Sequence, residues 1–236
     1  MKRIGIIGVC VVAFASAAIA PSASAEPVFL TKTVVAEGVK IPLTATLGAA
    51  FLEGSVSKSK IECASGVGKG EITGPKTSKN NITTFSGCKS GGFPCQSGAT
   101  EGVITTNVLK GVLGGITSIL PGVKFFPEAT GRGGELAAFN CAGGTIGVKV
   151  KGSLIGSLSG AAGTNAETGK LLASGKITFA EKEGIQKYLS FSEGPEAGEK
   201  EQLESKVGEG GYEKSGQSVI VTLKTVPATW MLGVTK

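Results

Sequence analysis

An antiparallel β-barrel or β-sandwich of roughly ten strands, held together by disulfides, is the fold class that this sequence predicts. Three observations predict it. Glycine supplies 38 of the 236 residues and aromatics only 6%, while β-branched residues are frequent. That mixture suits short strands and tight turns better than helices. Apolar and polar residues alternate in short runs at hairpin spacing. Four cysteines, Cys63, Cys88, Cys95 and Cys141, follow a segment that reads as an export leader, and cysteines of exported chains pair.

The leader occupies residues 1–25. Lys2 and Arg3 give it a basic start, Ile4 to Ala20 is apolar, and Ala23-Ser24-Ala25 supplies the small-x-small cleavage pattern. The run approaches the minimum for a membrane anchor, but the triplet favours cleavage before Glu26. Cys10 lies inside the apolar run and not just after a cleavage box, which argues against a lipid anchor. The expected product, residues 26–236, is one secreted β domain with no stable membrane insertion.

The elements follow in order. Val28 to Val35 reads as a strand, Gly38 and Pro42 punctuate, and Ala49 to Val56 is a weaker apolar segment. In the run from Lys58 to Cys63, Lys58, Lys60 and Glu62 share one face while Ile61 and Cys63 point inward. Glu71 to Thr73 and Asn81 to Phe85 form a hairpin across the Gly74-Pro75 turn. Gly102 to Leu113 is a long strand, and Pro121 and Pro127 bracket a short one from Val123 to Phe126.

Glu135 to Cys141 places Ala137, Phe139 and Cys141 inward. Thr145 to Lys151 alternates most cleanly, with Ile146, Val148 and Val150 inward. Gly160 to Thr168 is a small, polar loop, and Lys176 to Glu181 buries Ile177 and Phe179. Residues 193–211, rich in glutamate, read as an exposed acidic loop. Gln217 to Thr225 closes the series, and Trp230 is placed to plug one end of the core.

Composition excludes several chemistries. The chain has no histidine, and every one of its acids is a glutamate. Ser-His-Asp and Cys-His triads, His-ligated zinc, EF-hand calcium loops and paired-aspartate proteolysis are all ruled out. Without Lys2 and Arg3, the 24 basic residues become 22 against 18 acids, a net charge of +4. That excess is dispersed, and Arg132 is the one arginine after the leader, so no nucleic-acid partner is expected. No catalytic residue, metal ligand or cofactor-binding residue emerges.

The four cysteines are assigned to disulfides. The preferred arrangement joins Cys88 with Cys95, clipping a Gly/Pro loop, and Cys63 with Cys141, two inward strand positions. Pairing Cys63 with Cys88 and Cys95 with Cys141 is the alternative. The cysteines lack the C-x-x-C spacing of a redox pair.

Three motifs invite chemical readings. Gly66-Val67-Gly68-Lys69-Gly70 resembles a phosphate loop but lacks the leading glycine and the Ser/Thr after the lysine. Ser57-x-x-Lys60 matches the start of a serine β-lactamase signature whose companion motifs are missing. Glu181 with Glu183, or Glu62 with Glu71, are the pairs available to a glycosidase, which needs two carboxylates across a sugar. Asn81-Ile82-Thr83 is a glycosylation sequon by pattern.

At Ile61-Glu62-Cys63, Gly70 to Pro75, Phe85-Ser86-Gly87-Cys88, Val150 to Gly156, Gly184-Ile185-Gln186 and Tyr212 to Gly216, the chain resembles a group of secreted actinobacterial proteins. The resemblance implies secretion and the cysteine framework, and brings no activity, cofactor or catalytic residue. The function expected is that of a secreted or envelope-associated, non-enzymatic β protein with a structural or binding role. Its expected partner is a small apolar ligand or a cell-envelope component. A glutamate-dependent extracellular glycan hydrolase is the alternative.

Overall fold

The computed structural model describes residues 26–30, 33–160, 174–225 and 233–235. The leader, most of the Gly160–Thr168 loop and Trp230 lie outside the described residues. The chain begins with β1 (Val28–Leu30), β2 (Ile41–Leu47), β3 (Ala50–Gly54), β4 (Lys60–Cys63) and β5 (Ser65–Ile72). Next come β6 (Thr77–Ser86), β7 (Lys89–Ser90), β8 (Phe93–Gln96), β9 (Val103–Thr105) and β10 (Leu109–Gly115). The second half holds β11 (Pro121–Pro127), β12 (Glu135–Cys141), β13 (Ile146–Gly152), β14 (Leu154–Gly160) and β15 (Ser174–Phe179). It ends with β16 (Glu181–Lys182), β17 (Ile185–Gln186), β18 (Leu203–Val207), β19 (Glu213–Thr225) and β20 (Gly233–Thr235).

Eight strands close an antiparallel barrel in the order β19-β2-β5-β6-β10-β11-β14-β15, with β15 returning to β19. The outer strands close a second ring, β19-β3-β4-β7-β8-β12-β13-β18. The two rings share one wall. β2 runs on into β3, β4 into β5, and β6 into β7, and the register carries across each break: Leu47 faces Gly66 and Ala50 faces Cys63 at the same offset. β19 passes through both rings. Residues 213–218 pair with β18 and β3, and residues 219–225 pair with β15 and β2.

Between β18 and β15, one side of β19 lacks a neighbour strand at Gln217. The side chain of Gln186, which is buried, takes that place. Its Oε1 accepts the Gln217 N–H at 2.9 Å, and its Nε2 donates to the Gln217 carbonyl at 3.2 Å. Leaving those backbone groups bare would cost about 1–3 kcal/mol each.

The inward positions match the sequence pattern along most strands. Ala137, Phe139 and Cys141 of β12 are buried, as are Val148 and Val150 of β13 and Ile177 and Phe179 of β15. Ile61 and Cys63 point inward on β4. Ile146, expected inside, is 39% exposed because it sits at the turn end of the β12–β13 hairpin, just after the 142–145 turn and opposite Cys141. The expected Gly102–Leu113 strand is interrupted at residues 106–108: the Thr106 N–H still donates to the Thr83 carbonyl in the β6–β9 register, but the Asn107 N–H turns away to the Leu136 carbonyl of β12.

Residues 193–211 are not one exposed loop. Leu203 to Val207 form β18, with Leu203 1% exposed, and Glu201 just before it is 4% exposed. At the start of β19, Glu213 reaches the Val56–Ser57 turn. Its Oε2 accepts the Val56 N–H at 2.6 Å and the Ser57 N–H at 2.9 Å, and the Ser57 hydroxyl donates to Oε1. Partial burial pushes the Glu213 carboxyl upward, but the Ser57 and Val56 donors and the nearby Lys58 charge outweigh it. The net displacement is downward.

Candidate functional site

A cavity of about 160 Å³ lies inside the barrel, lined from both rings. Leu43, Leu47, Phe85 and Val221 line it from the shared wall. Phe125, Leu154 and Phe179 contribute from one closing sheet, and Phe139, Val150 and Leu203 from the other. The aliphatic and aromatic character follows from strand alternation, which sends the apolar residue of each pair inward.

The hollow exists because β5 presents glycines there. On its inner face Gly66, Gly68 and Gly70 stand two residues apart between outward Val67 and Lys69, which are exposed. Gly68 and Gly70 line the cavity directly. A Cβ on Gly68 would meet Ala45 Cβ at 3.1 Å, and one on Gly70 would collide with the Asn81 side chain. The phosphate-loop lookalike is therefore a strand whose inner face is bare.

Opposite Gly70 the wall is irregular. β5 and β6 shift register between Lys69 and Glu71, and β6 and β10 shift between Leu109 and Gly111. Asn80, at φ 53°, and Asn81 sit at these bulges. Asn81 Nδ2 bridges the gap by donating to the Leu109 carbonyl at 3.0 Å and to Ser78 Oγ at 3.1 Å. Asn81 also lines the cavity, with Thr83, Thr106 and Gln217, so a few polar groups ring an apolar space. A glycan on Asn81 would break the Leu109 bond.

The four cysteines form a row across adjacent strands. Glu62 faces Lys89, Lys89 faces Pro94, and Cys95 faces Cys141, which places Cys63, Cys88, Cys95 and Cys141 side by side on β4, the start of β7, β8 and β12. The bonds are Cys63–Cys88 and Cys95–Cys141, with Cα atoms 3.9 and 4.0 Å apart. This corrects the preferred pairing and matches the alternative. Cys63 and Cys141 stand three strand spacings apart, about 14 Å, far beyond the reach of a disulfide. Joining Cys88 to Cys95 would have stranded both.

None of the glutamates proposed for hydrolysis lines the cavity. Glu181 Oε2 accepts the Gly184 N–H at 2.7 Å inside its own turn. Glu62 pairs with Lys60 at 3.5 Å, and Glu71 takes a bond from Asn80 and lies 4.0 Å from Lys40. Lys60 Nζ sits 4.2 Å from the centre of the Phe51 ring, engaged with the ring and Glu62, while Ser57 donates to Glu213.

Sequence reasoning missed a second cluster, on the outer face of β11. Lys124, with no exposed surface, donates to Glu201 Oε1 at 2.8 Å and also pairs with Glu196. Ser153 Oγ donates to Glu201 Oε2, and Arg132 pairs with Glu199 and lies 3.4 Å from Glu201. The carboxylates of Glu196, Glu199 and Glu201 lie within 4.8 Å of one another, gathered around these two cations and not around the cavity. A signal did exist: Lys124 stands between two apolar pairs in a Pro-bracketed strand, where a charge needs a partner.

In comparisons with known proteins, no family model, curated protein or solved structure matches this chain.

Proposed function

We propose that this is an exported, non-enzymatic β-barrel protein that binds a small apolar ligand in its interior, drawn from the cell envelope or its surroundings. The observation that carries this reading is the cavity of about 160 Å³ behind the Gly66-Gly68-Gly70 face of β5. An apolar hollow of this size stays dry and accepts molecules about as large as benzene. It is smaller than the 300–1,000 Å³ typical of drug-sized ligands, so the occupant is a compact hydrocarbon group or the end of a chain. Two disulfides suit an oxidising location outside the cell, and the leader supports export. The hydrolase alternative has no support from the cavity, which has no carboxylate in its lining.

Native mass spectrometry of the secreted protein tests the reading, together with thermal unfolding in the presence of benzene, toluene and short alkanes. A bound apolar mass, or a melting temperature that rises with apolar probe concentration, is expected. A bare protein that no apolar probe stabilises would overturn it.

A further inference from the structure

Lys124 and Glu201 are the only lysine and glutamate found buried among the described residues, and they touch. Lys124 lies on β11 between Val123 and Phe125, both on the inner side, so its own side chain leaves through the outer face. There it is covered by the segment from Leu189 to Gln202. Ser192 N–H donates to the Gly115 carbonyl at 2.8 Å, Gly115 N–H to Glu193 at 2.9 Å, and Ser153 N–H to Gln202 at 3.2 Å. Phe191, 2% exposed, packs on Gly114, where even a Cβ would come within 2.5 Å of the ring. Nζ of Lys124 stands 5.7 Å from the Phe126 ring centre and 5.9 Å from that of Phe191.

A buried ion pair is an expensive way to fasten a strap, because desolvation offsets most of the attraction and apolar residues of similar size do as well. Glu196 adds a second cost. It sits at φ 63°, a left-handed turn position that glycine or asparagine fills with less strain, and its carboxylate contacts Lys124 Nζ. The buried Lys124 amine, the part-exposed Glu196 carboxyl and the buried Glu201 carboxylate are thus held together beside two aromatic rings.

We propose that Lys124 and Glu196 condense into an intramolecular amide that bonds the strap covalently to the barrel. One ammonium proton passes from Lys124 to the Glu196 carboxylate, leaving an amine beside a carboxylic acid. The nitrogen lone pair attacks Cδ of Glu196, forming the C–N bond. Glu201 removes a second proton from nitrogen and delivers it to the departing hydroxyl, so the C–O bond breaks and one water leaves. Glu201 ends as it began, and no oxidant or other reagent is consumed. Fixed contact supplies the effective concentration that free amine and acid lack in water.

Mass spectrometry of the full secreted chain, reduced and denatured, reads the result. The expected mass is one water below that of the sequence, and digestion should give a branched peptide joining Lys124 to Glu196, with no tryptic cleavage after Lys124. Lys124→Arg and Glu196→Ala should each restore the full mass. Glu196→Gln should regain the same branched product, losing ammonia in place of water. Glu201→Ala should leave most chains unbonded. A wild-type mass equal to the sequence mass, with cleavage after Lys124, would overturn the proposal and leave an ion pair there.

Discussion

Cys88 and Cys95 face each other across the β7–β8 hairpin, with the Cys95 N–H donating to the Cys88 carbonyl at 2.9 Å, yet each is bonded to a cysteine on its other side. Peptide mapping without reduction should therefore return Cys63–Cys88 and Cys95–Cys141 peptides. A Cys88–Cys95 peptide from folded protein would contradict the row. Replacing Cys95 and Cys141 together by serine should cost about 2–5 kcal/mol in urea unfolding.

The row also marks the limit of what was legible in the sequence. Alternation alone put Cys63 and Cys141 on inward faces, and both are buried. Which strands adjoin is a matter of topology, and the β7–β8 hairpin that inserts between them is too short to show a period. β2 was hidden by Pro42, which sits at an outward position near the strand's start. Residues 193–211 read as solvated because glutamates outnumber lysines there; the partner that buries Glu201 is Lys124, some 77 residues earlier. The cavity was written plainly, in the alternating glycines of β5, but as an absence of side chains and not as a motif.

Filling the cavity should abolish probe binding. Ala45→Leu projects from the lining towards Gly68, and is expected to remove any stabilisation by benzene while changing stability by less than about 3 kcal/mol. Leu154→Ala should do the reverse, costing about 2–5 kcal/mol and admitting larger aromatics. Thermal unfolding with and without probe measures both.

Gly114→Ala tests how the strap is seated. The new methyl meets the Phe191 ring, so the ring must lift. A loss of about 1–3 kcal/mol is expected, with faster proteolysis between Leu189 and Gln202.

Glu213 links stability to pH. Its carboxyl is held below the ordinary range in the folded chain, so its contribution is fully present above the unfolded value and fades as pH falls through the folded one. Glu213→Gln should be less stable than the wild type at neutral pH, and the two should converge as the pH drops below about 4. Urea midpoints across that range give the comparison. A constant gap would place the effect elsewhere.

Because β19 closes both rings and lies at residues 213–225, the order of synthesis matters. Until those residues emerge, β2, β3, β15 and β18 each have an open edge, and neither ring can complete its hydrogen bonds. Contacts this distant along the chain make folding slow, because a long loop must be closed before it is rewarded. A growing chain therefore keeps both rings open until residues 213–225 have been made, long after β2 and β3.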